Sequence, residues 1–183
     1  MNELYELLEN ISRVLWFVYA MALLMFYYIS KKYYGAKSSL ITMIIILVSN
    51  TLMLGYQEVL VWYIEGSPGI SSMVHFTWFM GFASFYLISL AVLYKVHKAE
   101  NVKISTLGQF TGVSFLVSGC LQLAQYAEIV IFKTNVNMKA IYTIGIPTLN
   151  IAMAVVSFGL GLLAIYYLHF NKKGLEGLKR WTI

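Results

Sequence analysis

Aspartate does not occur in this sequence of 183 residues, and cysteine occurs once, at Cys120. Without aspartate a Ser-His-Asp centre cannot be assembled. A lone cysteine excludes an intrachain disulfide framework and a cysteine-type zinc site, which leaves Cys120 as a small packing residue. Charge is also scarce: Asp, Glu, Lys and Arg make up 11% of the chain, against about 25% in an ordinary soluble domain. Proline appears twice, at Pro68 and Pro147, so little in the sequence interrupts long helices. Glycine-rich phosphate loops and kinase or hydrolase signatures are missing, so no enzyme activity is indicated.

What fills the chain instead is apolar. Hydrophobic residues make up 60%, and segments close to the roughly 20 residues that cross a bilayer recur five times. They run over 14–30, 40–64, 73–94, 107–132 and 140–170. The predicted fold class is all-α, a polytopic transmembrane helix bundle forming a single integral membrane domain over residues 1–183. The first span is short, and Leu4, Leu7, Leu8 and Ile11 at helical spacing extend it or lie as an amphipathic turn beside Glu3, Glu6 and Glu9. The opening residues carry no basic region ahead of an apolar stretch and no small-residue cleavage site, so the first span is expected to be retained. Gly66-Ser67-Pro68-Gly69 reads as a tight turn between spans two and three.

The basic residues give an orientation. Lys31, Lys32, Lys37, Lys95, Lys98, Lys103, Lys172, Lys173, Lys179 and Arg180 fall on one side of the five spans, and Arg13, Lys133 and Lys139 on the other. Ten against three is a marked positive-inside asymmetry, which predicts the N-terminus outside and the C-terminus in the cytoplasm of a plasma or inner membrane. The net charge of +5 is spread over several connections rather than along one stripe, so nucleic acid is not an expected partner. The expected partners are the lipid bilayer and, for so small a bundle, a second copy or a larger membrane complex.

Two stretches match without a gap: Tyr56-Gln57-Glu58-Val59-Leu60-Val61-Trp62 and Tyr126-Ala127-Glu128-Ile129-Val130-Ile131-Phe132. With Trp16-Phe17 in span one and Trp78-Phe79 in span three, the pattern admits a duplicated two-helix hairpin plus one added helix, the kind of parallel repeat that places a site between copies. Chance similarity between segments rich in Val, Ile and aromatic residues is the competing explanation.

A carboxylate at mid-bilayer costs about 2.5–3.5 kcal/mol on insertion scales, so a Glu inside a span is a functional candidate by default. Glu58 shares a helical face with Asn50, Thr51, Leu54, Trp62 and Glu65, a face expected to turn inward. Glu128 shares a stripe with Ser114, Leu121 and Gln125, while Gln122 points elsewhere, and His75 opens span three at the same level. Glu58, Glu128, His75, Gln125 and Asn50 are therefore the candidate ion or solute site. The expected activity is binding or conducting a proton, cation or small cationic solute through an outward-facing polar site. A metal is not expected, because neither HExxH nor Glu-x-x-His spacing is present. The competing class is a non-transporting accessory, assembly or immunity-type subunit that acts by helix packing.

Span five carries Thr143, Pro147, Asn150, Ala154, Ser157 and Gly161 at three- and four-residue spacing. Small residues let helices approach in lipid, so Thr143, Asn150, Ala154, Ser157 and Gly161 are expected to form a packing seam rather than line a pore. Tyrosines at span ends, among them Tyr27, Tyr28, Tyr63, Tyr94, Tyr166 and Tyr167, read as interfacial anchors. His97 and His169 lie at the edge of the bundle rather than facing each other within it, so haem and other cofactors are not expected.

Overall fold

The structure is a computed structural model that describes residues 2–65, 72–133 and 137–170; within these, the side chains of 2–13, Tyr34, Glu65, Ser72 and Asn137 lie outside the description. The turn at Gly66-Ser67-Pro68-Gly69, the side chains of Glu3, Glu6, Glu9, Arg13 and Glu65, and the basic tail of Lys172, Lys173, Lys179 and Arg180 therefore fall outside the described residues.

Helix α1 covers Asn2–Lys32 without a break, so the segment ahead of the first span continues it. After a short 3₁₀ turn at Tyr34–Ala36 come α2, Lys37–Glu65, and α3, Ser72–Ala99. Helix α4, Thr106–Tyr126, runs into a π-helical turn at Ala127–Ile131, and α5 covers Asn137–Phe170. Five stretches within them are long and apolar enough to cross a bilayer: Val14–Lys32, Lys37–Ile64, Met73–Ala99, Thr106–Ile131 and Met138–Phe170. Exposed Phe17, Leu24, Val48, Ile88, Val113, Ile144 and Val155 spread apolar surface over all five helices. That covering, with each backbone satisfied inside its own helix, suits lipid and not water. The protein is an integral membrane helix bundle.

Each helix packs against its neighbour in sequence, and α1 also packs against α5, which closes a ring; α2 in addition touches α4. Helices α1, α3 and α5 begin at one end, here the top, where α2 and α4 finish. Two glycines set the close approaches. A Cβ at Gly81 on α3 would overlap the ring of Tyr56, whose hydroxyl donates to Thr77 O at 2.6 Å and clasps α2 to α3 near the top. A Cβ at Gly108 on α4 would sit 2.7 Å from Ile104 and 3.1 Å from Thr42 Oγ1, so glycine there lets α4 meet α2 at the bottom.

The bottom half is closed. Phe26, Ile29, Met43, Ile46, Leu107 and Phe115 are fully buried there. Beneath them His97, 1% exposed, joins three helices. Its Nδ1 lies 2.7 Å from Leu93 O and its Nε2 2.9 Å from Ser38 Oγ, while Ser38 Oγ accepts the Ser105 N–H at 2.8 Å. The Leu93 carbonyl can only accept, so Nδ1 carries a hydrogen and donates to it, and the Ser38 hydroxyl can donate to Nε2. Ser105 then caps α4 by accepting from Gly108 N, and Ser39 donates to Ser105 Oγ at 3.2 Å. Asn101 takes the left-handed conformation (φ 51°) that lets Val102 N–H close back onto His97 O at 3.0 Å and end α3. At this lower rim Lys31, Lys32, Lys95, Lys98 and Lys103 stand at helix ends, and Lys37 pairs with Glu100 at 2.7 Å.

The matched segments behind the proposed repeat differ locally. The Tyr56 to Trp62 stretch is α-helical, whereas Ala127–Ile131 is a π turn with one extra residue per hydrogen-bonded ring. Glu58 is exposed and Glu128 is buried.

Candidate functional site

Above the closed half the five helices part around a cavity of about 170 Å³, and every helix contributes to its wall. Helix α1 supplies Leu15, Trp16 and Tyr19; α2 supplies Asn50, Met53, Leu54 and Gln57; α3 supplies Trp78, Phe82 and Tyr86. Gln122 comes from α4, and Tyr142, Ile146 and Asn150 from α5. The lining runs from Asn50 to Gln57 and from Tyr142 to Asn150, so it occupies about 12 Å of helix at 1.5 Å per residue. No Lys, Arg, His or Glu is among these residues. Among the described residues the wall of the cavity is polar and aromatic and carries no charge.

Its polar groups are held by bonds that tie one helix to the next. The Trp16 indole donates to Thr51 Oγ1 at 3.2 Å, joining α1 to α2. The Tyr19 hydroxyl donates to Asn150 O at 2.8 Å, joining α1 to α5. Tyr142 donates to Gln122 Oε1 at 3.2 Å, joining α5 to α4, and the Trp78 indole of α3 lies against the same hydroxyl. Asn50 donates back to Ile46 O at 3.0 Å. The Tyr86 hydroxyl turns toward Ser118 and Asn150, yet Asn150 Oδ1 is buried without a hydrogen bond inside the protein.

Of the sequence-derived candidates, Asn50 lines this cavity, and Glu58, Glu128, His75 and Gln125 do not. Glu58 does not turn inward as expected. It stands exposed on the outer face of α2 with Thr51, Leu52, Gly55, Val59 and Trp62, because the buried side of that helix is carried by Ser49, Met53 and Leu60. Glu128 is buried at the end of α4, where its Oε2 accepts the Met138 N–H at 2.9 Å. A carboxylate there caps the first turn of α5 and faces the positive end of its dipole. His75 lies on the other side of α3, stacked on Phe79 with ring centroids 6.4 Å apart, beside a shallow apolar hollow with Ile64, Val74 and Trp78. Among the described residues, no three of His, Cys, Asp and Glu gather closely enough to hold an ion, so the expected convergence of Glu58, Glu128 and His75 is absent.

Gln125 is buried, but Gln122, expected to point elsewhere, is the α4 residue that reaches the cavity. On α5, Ala154, Ser157 and Gly161 are buried and Gly161 meets Met25 of α1. Asn150 belongs both to that face and to the cavity wall. Thr143 departs from the expected seam and is exposed. Tyr142 takes the inward position at this level, and Pro147 leaves the Thr143 carbonyl without its helical N–H partner. Cys120, expected to be packed, is exposed on α4.

Comparison with known proteins gives no assignment: no family model, curated protein or solved structure matches the chain.

Proposed function

We propose that this membrane protein binds a small solute in the cavity between its five helices, whose described walls carry no charge, taking it from the side where α1 begins. The charge asymmetry of the connections makes that side the outside and leaves the N-terminus external and the C-terminus cytoplasmic. One observation carries the reading. All five helices contribute to a single polar cavity in the top half, while the bottom half is filled by buried side chains. A cavity between the helices of a bundle, with a few convergent polar groups, is a common form of ligand site. The position of the cavity moves the candidate site away from Glu58, Glu128 and His75, and solute binding replaces proton or cation conduction as the favoured activity.

Accessibility to a membrane-impermeant thiol reagent tests the reading. In a Cys120→Ser background, Gln57→Cys and Asn50→Cys are expected to react from the side that carries the N-terminus, and Thr42→Cys, buried in the closed half, to stay protected. Failure of both cavity cysteines to react from either side would overturn it.

The exposed face of α2 favours a second reading, that of an accessory subunit. Thr51, Gly55 and Glu58 place small residues and a carboxylate on the surface of a span, with open space where a Gly55 side chain would be. If a partner helix covers that face, Glu58→Gln weakens the complex. With no partner, the substitution leaves assembly unchanged and is neutral or mildly stabilising.

A further inference from the structure

We infer that the seam between α1 and α5 at the lower rim binds the phosphate of an anionic phospholipid, taken from the leaflet on the side where α1 ends. The site lies at the opposite end of the bundle from the cavity and does not depend on it. Charge, unspent donors and an adjoining apolar surface lead there.

The last turn of α1 carries Lys31 and Lys32, both exposed. Neither ammonium extends beyond the helix end. Lys31 Nζ stands 4.5 Å from the centre of the Tyr27 ring and Lys32 Nζ 4.6 Å from that of Tyr28, so each side chain folds back one turn. The first apolar span ends at Lys32, and one pitch of about 5.4 Å returns both charges to the level of the interfacial tyrosines, where lipid headgroups meet a helix. An exposed ring face contributes about 0.5–1 kcal/mol to a cation. That places the ammonium without neutralising it.

Lys32 donates to the Tyr28 hydroxyl at 2.6 Å, and this hydroxyl lies 3.2 Å from His169 Nε2 of α5. The Tyr28 and His169 rings stack with centroids 6.0 Å apart, so the two helices meet at the charge. An ammonium has three N–H donors. Among the described residues Lys32 spends one of them and Lys31 none. The carboxylate that the described residues place at this rim, Glu100, is taken by Lys37 at 2.7 Å on the other side of the bundle. A phosphodiester has the missing charge and several acceptor oxygens for charge-assisted bonds.

The surface next to this site selects a lipid over a free phosphate ion. On α1 the face that carries Tyr28 continues into the membrane as Leu24, Met21 and Phe17, all exposed. On α5, exposed Tyr166 and Leu162 stand one and two turns before His169. Acyl chains can lie along these stripes with their phosphate at Lys32, and basic groups between helices on the positively charged side are a recurrent form of lipid site.

Native mass spectrometry of the full chain, with dioleoyl phosphatidylglycerol and dioleoyl phosphatidylcholine titrated side by side, tests this. One phosphatidylglycerol per chain is expected to be retained in preference to phosphatidylcholine. Lys32→Gln is expected to weaken its binding about fivefold, the worth of one basic residue beside an anionic headgroup, and Tyr28→Phe to weaken it less. Lys95→Gln, at the end of α3, is expected to leave it unchanged. Lys32 and Lys95 are both exposed, so neither substitution is expected to move the unfolding midpoint. Equal affinity for the two lipids overturns the inference. So does an equal loss in Lys95→Gln, which would make the preference a property of the whole basic rim. Displacement of the lipid by an equal concentration of inorganic phosphate also overturns it, because the seam would then hold an ion and not a lipid.

Discussion

The two halves of the bundle are built from the same five helices, yet they carry different polar residues and use them differently. In the lower half several polar groups bond across helices, His97 with Ser38, Ser38 with Ser105, and Ser49 with Ser89 at 2.7 Å, while the Thr111 and Ser157 hydroxyls are packed without a hydrogen bond. In the upper half Asn50, Gln57, Gln122 and Asn150 line a space, and Gln122 also accepts from Tyr142 across it. Small hydroxyls bond across a close contact and draw backbones together, helped by Gly108 where α2 meets α4. Carboxamides and aromatic rings are too large for that and hold the helices apart. The same chain thus separates stability from binding along its own axis.

If that division holds, substitutions in the lower half cost stability and those in the upper half cost binding. The largest effect is expected for Phe115→Ala, which removes a ring that is 1% exposed from the closed core. In lipid the transfer from water contributes little, so the loss comes from the void left behind, about 3 kcal/mol. Thermal unfolding in nanodiscs reads it as a large fall in midpoint, and a midpoint close to native would break the comparison. Ser38→Ala follows at about 2 kcal/mol, because the buried Ser105 N–H and His97 Nε2 both lose their partner. Its counterpart above, Gln57→Leu, is expected within about 0.5 kcal/mol of native, since the side chain is half-buried on the cavity wall. A loss at Gln57 equal to that at Ser38 would mean the upper half is as tightly built as the lower.

The smallest effect belongs to the lower rim. The Lys37 ammonium donates to Glu100 and its positive charge stands beside it, which holds the Glu100 carboxyl below its ordinary range. A lowered folded value stabilises above the ordinary carboxylate range, and the contribution is lost as pH falls through the folded value. Both groups are well exposed, so salt screens the pair. Glu100→Gln is therefore expected to lower the unfolding midpoint slightly at neutral pH and low salt, and not at all in acid or high salt. A difference that persists in acid would mean that Glu100 acts through something other than its charge.

Much of the fold was legible in one dimension. A run of about 20 apolar residues has one stable form in a bilayer, so the five spans and their ends could be read to within a few residues. The site was harder to read, and the reason is local. Helices α2 to α5 are apolar nearly all round, so amphipathicity does not tell which face turns inward. Glu58 was placed inside because its cost in lipid suggested shelter, but the Ser49, Met53 and Leu60 side of α2 is the one that packs. Glu128 was aligned with Gln125 on an ideal wheel that the π turn interrupts one residue before it. Among fourteen tyrosines the composition does not single out Tyr19, Tyr86 and Tyr142, because a tyrosine inside the ring differs from one at the interface only by position.

The sequence by itself determined that this chain lives in a membrane and how many times it crosses. Those properties follow from summed transfer free energies along the chain, and they need no knowledge of neighbours. Tertiary structure alone decided which partner each polar residue found: His97 a serine on another helix, Glu128 the first turn of α5, Asn150 an open cavity. Helix rotation sets those pairings, and in lipid rotation is fixed by the fit of small residues against large ones across helices far apart in sequence.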